Sequence, residues 1–219
     1  MKKSLQMYIF KAEVNKLTLN INPCHEVRDS GKDCEPLVFT GELVHDAINF
    51  AVLKHSGQIR KGTVIPYITH PFEVMEILAE FGSSEQVKAA GMLHDVLEDT
   101  DASPEEIRNI FGENVLGLVA AESEDKSKTW KERKQAAIDS LQNAKFENKL
   151  ICLADKLSNL RSMSADIKSY GEKLWNRFNA SKKEIEWYYR QIFGKLSDFR
   201  NYGLYQEYSS LLDEVFCGS

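Results

Sequence analysis

The chain is poor in proline, cysteine and histidine, and it has no long apolar run. Five prolines in 219 residues leave no room for a proline-rich linker, and no internal repeat or low-complexity tract is visible. No apolar stretch approaches the ~18–20 residues that a membrane-spanning helix needs. The opening MKKSLQMYIFKAEVNK begins with lysines but lacks the apolar core of a signal peptide. The expectation is a cytoplasmic chain with no membrane partner. The four cysteines, Cys24, Cys34, Cys152 and Cys217, are far apart and form no C-x-x-C pair. Reduced thiols are expected rather than a disulfide framework, and Cys24, His25 and Cys34 make a poor zinc site. Basic residues are not in excess: the net charge is −5, which argues against a nucleic-acid partner. A small anionic ligand held by a local basic patch stays open.

What is present is a globular composition, 42% hydrophobic and 28% charged, in a length that suits one large domain. Residues 1–39 read differently from the rest. MYIFKAEVNKLTLNI alternates loosely between apolar and polar residues, as a strand or hairpin does, and NPCHEVRDSGKDCEP reads as a loop. They are expected to form an N-terminal extension of unknown role. From Thr40 the pattern is helical, and a mostly α domain is expected over 40–219. Thr40 is placed as the cap of a helix ending before Gly57. His70-Pro71 opens a second helix, stopped at Gly82. Ser83 with Gln86 reads as a capping box, as do Ser103 with Glu106 and Ser181 with Glu184. The Ser103 helix should end at Gly112, and the Ser181 helix should run through Phe199. Residues 130–144, 147–162 and 204–216 are also expected to be helical.

One short stretch concentrates ionisable groups: HDVLED at 94–99. At 100° per residue, His94, Asp95, Glu98 and Asp99 fall within one sector 140° wide, with Val96 and Leu97 opposite. Gly91 falls one turn before His94 on the polar face, where the missing side chain would leave room for a ligand. A solvated acidic helix end is the plain reading. Acidic groups at a helix C-terminus oppose the dipole, however, and a cation would relieve them.

Two other stretches offer partners. His70 stands at the loop-to-helix junction of YITHP. Asp155 is embedded in the apolar helix of LICLADKLSNLR, where a carboxylate needs a cation, and Asn159 lies one turn on, on the same face. Two imidazoles and two carboxylates suit Mn²⁺, Fe²⁺, Co²⁺, Ni²⁺ or Zn²⁺ better than Ca²⁺ or Mg²⁺. Water beside such an ion is acidified and can attack phosphorus.

A histidine, an HD doublet and a distant Asp resemble the pattern of the HD-domain metal-dependent phosphohydrolases, which are helical bundles. More narrowly, HSGQIRKGTVIPYITHP, AAGMLHDVLEDTD and LADKLSNLR resemble the hydrolase domains of RelA/SpoT-type alarmone enzymes, in the same order and over about residues 42–200. The length is that of the small stand-alone hydrolases. The resemblance implies a single divalent ion, Mn²⁺, held by His70, His94, Asp95 and Asp155, with Glu98 and Asp99 orienting and deprotonating water. It implies substrate contacts from Arg60, Lys61, Asn159, Lys126 and Arg177. The substrate would be a nucleotide, guanosine tetra- or pentaphosphate, losing its 3′-pyrophosphate. No histidine follows His94, whereas two-metal HD enzymes carry further histidines there. Ser158 stands where the family often has histidine or tyrosine, which bears on contacts to the base.

Other groups have plainer assignments. His45 and His55 are expected on the helix surface or in the core, Cys152 as a small buried hydrophobe, and Tyr188 and Tyr189 in the core. Lys131, Glu132, Arg133 and Lys134 are expected as a solvated helix face. Two alternatives to alarmone hydrolysis are a phosphohydrolase of another nucleotide, and a nucleotide-binding sensor without turnover.

Overall fold

The computed structural model describes residues 37–217. The strand or hairpin expected near the N-terminus, with Cys24, His25 and Cys34, lies outside the described residues. Those that are described form α-helices, short 3₁₀ turns and isolated bridge residues, among them the pair Ile59 and Pro66. The helices are α1 (Leu43–Lys54), α2 (Thr69–Glu80), α3 (Glu85–Leu93), α4 (Val96–Asp99), α5 (Pro104–Glu122), α6 (Trp130–Ser140), α7 (Phe146–Tyr170), α8 (Lys182–Lys195) and α9 (Gly203–Cys217). None is long and apolar enough to cross a membrane.

Side-chain caps set several boundaries. The capping boxes Ser103–Glu106, Thr129–Glu132 and Ser181–Glu184 are complete; each satisfies amide groups that would otherwise be orphaned. Four expected boundaries move. Thr40 is not a cap, because its N–H and hydroxyl both donate to Asp46 Oδ1, and Glu42 takes the N-cap position of α1. The cap of α3 is Ser84 rather than Ser83, accepting from the Val87 amide. Gly112 bends the chain at φ 85°, a conformation open to glycine, but the helix resumes and runs to Glu122. The Ser181 helix stops at Lys195, and Ser197–Phe199 continues as a 3₁₀ turn.

Three helices fix the centre. α3 packs on α2 and α7, and α2 packs on α7. α7 brings Leu150, Ile151, Leu153, Leu157 and Leu160 into the core, all almost fully buried. Each such side chain is worth roughly 1.5–3 kcal/mol relative to exposure. Gly91 lets α3 approach α2: a Cβ there would lie 2.2 Å from Leu78 Cδ1. The room at Gly91 is thus filled by α2, a correction to the expectation of ligand space. His70, His94 and Asp155 are contributed by α2, by the end of α3 and by α7, so their convergence follows from core packing.

Candidate active site

His94 and Asp95 form a tight turn between α3 and α4. Both keep right-handed helical dihedrals, with ψ of −6° at Asp95. The expected continuous helix is therefore nicked at the doublet, yet Asp99 still donates to the Asp95 carbonyl at 2.9 Å. The four polar residues stay on one side while Val96 is buried.

The imidazoles are held from behind. His94 Nδ1 lies 2.8 Å from the Gly91 carbonyl. A carbonyl only accepts, so the proton is on Nδ1 and the lone pair of neutral His94 is on Nε2. His70 Nδ1 lies 2.9 Å from Ser158 Oγ, and that hydroxyl donates to Glu73 Oε2 at 2.7 Å. Ser158 therefore accepts from His70, which leaves the Nε2 lone pair of His70 facing forward. Both Nε2 atoms meet carboxylates: His70 reaches Asp155 Oδ1 at 3.2 Å and Asp95 Oδ2 at 3.7 Å, and His94 reaches Asp95 Oδ2 at 2.9 Å and Asp155 Oδ1 at 3.9 Å. His94 Nε2 is buried without a hydrogen-bond partner.

Acceptors that face acceptors at these distances need a cation between them. His70, His94 and Asp95 each offer an atom within 4.8 Å of the others, and Asp155 closes the group. The backing of each imidazole by a carbonyl or a Ser–Glu relay is the outer-shell arrangement that orients metal-bound histidines. The residues fit a divalent metal ion.

The field of the site follows. Burial alone would push the His94 pKa down, but Asp95 and Asp155 outweigh it and raise it to about 9. Burial opposes ionisation of Asp95 and Asp155 as well; the His94 and Lys156 cations respectively prevail, and both carboxyls are held below their ordinary range. Glu98 is pushed up by burial, then by Glu124 and Asp99. Tyr67 donates to Asp95 Oδ2 at 2.5 Å, and burial with the Asp95 charge keeps its phenol protonated.

The remaining residues expected at the site divide into two groups. Asn159 donates to Asp155 Oδ1 at 2.7 Å, and Arg60 donates to Asn159 Oδ1 at 3.2 Å, so both join the cluster. Lys126 donates to the Glu98 carbonyl and to Asp99 Oδ1, at 2.6 and 2.8 Å, and lies over the acidic pair. Lys61 and Arg177 stand apart. They line a neighbouring cavity of about 200 Å³, where Lys61 bonds Asn179 and Arg177 bonds Asp166. That cavity shares Arg60, Tyr67 and Asn159 with the cavity, also about 200 Å³, that holds the histidines.

The roles of four residues were not read from the sequence: Tyr67, Glu73 and Lys134 were not placed at the site, and Ser158, expected to bear on base contacts, instead accepts from His70. Tyr67 stands one turn before His70 and Ser158 one turn after Asp155, but spacing gave neither its partner. The expected solvated face on α6 is half wrong. Lys131 and Glu132 are exposed, but Arg133 and Lys134 turn inward to Glu124 at 3.0 and 2.6 Å. His55 is buried against Gln58, His45 is exposed, and Cys152, Tyr188 and Tyr189 are buried as expected.

Comparison with known proteins bears directly on this geometry. The model of the HD domain family matches residues 47–186. The chain is 40% identical over 124 residues to guanosine-3′,5′-bis(diphosphate) 3′-pyrophosphohydrolase MESH1 of Drosophila melanogaster, covering 55% of this chain and 69% of that protein. It is 38% identical over 125 residues to the guanosine-3′,5′-bis(diphosphate) 3′-pyrophosphohydrolase of Aquifex aeolicus, covering 56% of this chain and 18% of that one. Among solved structures, a Listeria monocytogenes protein superposes with a TM-score of 0.64 at 34% identity, over 68% of this chain and 99% of that one. A metazoan ortholog of SpoT that hydrolyses ppGpp superposes with a TM-score of 0.64 at 29% identity, over 88% and 97%.

Proposed function

This chain belongs to the HD domain family and is a hydrolase, and on that premise we propose that it cleaves the 3′-pyrophosphate from guanosine tetra- and pentaphosphate, releasing pyrophosphate and GDP or GTP. The carrying observation is the forward-facing Nε2 pair of His70 and His94 set against Asp95 and Asp155, with Glu98 and Asp99 one turn beyond. The names of the relatives at about 40% identity support the substrate.

In this reading His70, His94, Asp95 and Asp155 hold one divalent ion, Mn²⁺ by preference. When bound, it supplies positive charge to the phosphate and acidifies water. Glu98 accepts the proton of the attacking water, and its raised pKa brings it nearer the range of an effective base at neutral pH. Asp99, tied to Lys126, orients that water. The nucleoside lies in the second cavity among Lys61, Arg177 and Tyr189, with Arg60 and Asn159 at the junction of the two cavities. Ser158 is engaged by His70 and Glu73, so its substitution for a larger residue acts on the metal cluster and gives no reason to prefer a different base.

Incubation of the protein with ppGpp and Mn²⁺, followed by chromatography of the nucleotides, is expected to yield GDP and pyrophosphate in equal amounts. A panel of 2′- and 3′-phosphorylated nucleotides run beside it decides the substrate. Efficient cleavage of one of those with ppGpp left intact would reject the reading.

A further inference from the structure

The cavity that holds the histidines has two ends. At one it shares Arg60, Tyr67 and Asn159 with the second cavity. At the other it shares Glu122, Glu124, Ala137 and Ser140 with a third cavity of about 250 Å³. Lys134, Lys156, Glu122 and Tyr188 line the histidine cavity and do not line the second one. No role described so far accounts for the charged groups there.

Those groups are cations drawn together in a half-buried chamber. Lys134 Nζ lies 5.0 Å from the centre of the Tyr188 ring, and Lys156 Nζ lies 5.5 Å from the same centre. Burial, and then the charge of Lys156, push the Lys134 pKa down. Three cations, Arg133, Lys134 and Lys156, have Glu124 and Asp155 as their carboxylate partners at 3.0 Å or less. Asp155 is also shared with the two imidazoles. Glu122 makes no hydrogen bond or ion pair among the described residues, and burial raises its carboxyl to about 7. It is therefore largely uncharged in mildly acidic solution and available as a donor. Three clustered cations against two carboxylates leave one positive charge over, a setting for a compact anion.

We propose that this inner chamber, walled by Lys134, Lys156, Glu122 and Tyr188, is a subsite for the terminal phosphoryl group of a diphosphate ester, and that Lys134 is the residue that separates diphosphates from monophosphates. The assignment rests on the phosphohydrolase reading above. It adds an order along the groove: nucleoside in the second cavity, reacting phosphorus at the metal-ligand cluster, terminal phosphoryl beyond it. Lys134 exchanges its Glu124 contact for the anion, and Glu124 keeps Arg133.

The test is calorimetric titration of the Mn²⁺-loaded protein with imidodiphosphate, a diphosphate that resists hydrolysis, and with inorganic phosphate. Lys134→Met is expected to weaken imidodiphosphate at least tenfold and phosphate less than threefold, and Lys134→Arg to restore most of the difference. Lys134→Gln provides a second neutral variant should the methionine fail to fold. Equal weakening of both anions, or no change in either, would overturn the subsite. The titration reads binding without turnover, so it stands even if the protein leaves ppGpp intact. With an active substrate, the same variants should lose kcat/KM toward a 3′-diphosphate and keep it toward a 3′-monophosphate.

Discussion

Tyr67 donates its phenol proton to Asp95 Oδ2 at 2.5 Å, across 28 residues of sequence. The same oxygen faces His94 Nε2 at 2.9 Å, so the tyrosine fixes the carboxylate that is to share a metal with two imidazoles. Outer-shell contacts of this kind are worth ~10–100-fold in metal affinity when removed. Tyr67→Phe should therefore weaken Mn²⁺ binding by about that factor while leaving the fold intact, as titration with a competing chelator would measure. Unchanged affinity would show that Asp95 is held by the backbone turn alone.

Ser158 makes an analogous case from the other side. It accepts from His70 Nδ1 and donates to Glu73, and it is fully buried. Ser158→Ala leaves the buried His70 Nδ1 without its partner, at a cost of roughly 1–3 kcal/mol, while the half-buried Glu73 keeps Arg161. Metal affinity should fall, and the thermal midpoint should fall further in the metal-free protein than in the loaded one. Differential scanning calorimetry with and without Mn²⁺ separates the two effects.

These two residues also mark where the sequence stops being legible. His70, His94, Asp95 and Asp155 stand out because each interrupts a local pattern: a loop-to-helix junction, a helix end, an apolar helix. Capping boxes stand out for the same reason, since cap and partner are three residues apart. The Ser158–Glu73 bond spans 85 residues, and the inward turn of Lys134 depends on Glu124 and Tyr188. Neither contact has a local signature. Gly91 misled because helical spacing gives a face but not what the face packs against.

Gly91 yields a prediction about that packing. An added Cβ would lie 2.2 Å from Leu78 Cδ1, and Leu78 is fully buried, so Gly91→Ala must displace α2 or force a strained rotamer. Overpacking of this kind costs ~1–3 kcal/mol, offset by about 1 kcal/mol of improved helix propensity. The thermal midpoint should drop by a few degrees, roughly 2–4 °C per kcal/mol at this chain length. Pairing the change with Leu78→Val should recover part of the loss, because adjacent sites are not additive. Full additivity would mean the clash is relieved elsewhere.

Glu98 sets the acid side of the pH profile. Burial, then Glu124 and Asp99, raise its pKa above the ordinary glutamate value of 4.5. A base must be deprotonated, so kcat/KM should fall as pH drops through that raised pKa, at a pH above 4.5. Glu98→Gln should lower kcat by ~10²–10⁴-fold while nucleotide binding persists, and the acid limb should vanish from the residual rate. Binding without turnover in the wild type, across a broad substrate panel, would instead favour a nucleotide sensor.

Metal binding should expel a proton from His94. In the metal-free protein Asp95 and Asp155 outweigh burial and raise its pKa from 6.5 to about 9, so the imidazole is charged at neutral pH. Its Nδ1 proton is retained by the Gly91 carbonyl, and the Nε2 proton occupies the position a metal needs. Ligation requires neutral imidazole. Addition of Mn²⁺ near pH 7.5 should therefore release about one proton per ion, measurable in weakly buffered solution with a pH indicator. Affinity should rise by ~10-fold per pH unit until pH approaches about 9, then level off. The stability of the metal-free protein follows the same group with the opposite trend. The folded pKa is raised, so the contribution is complete below 6.5 and is lost as pH climbs through about 9. Chelator-treated protein should thus lose stability across that interval, and Mn²⁺-loaded protein, whose His94 is already neutral, should not. An affinity flat in pH over this range would mean that His94 is neutral before the metal arrives, with Asp95 turned away from it.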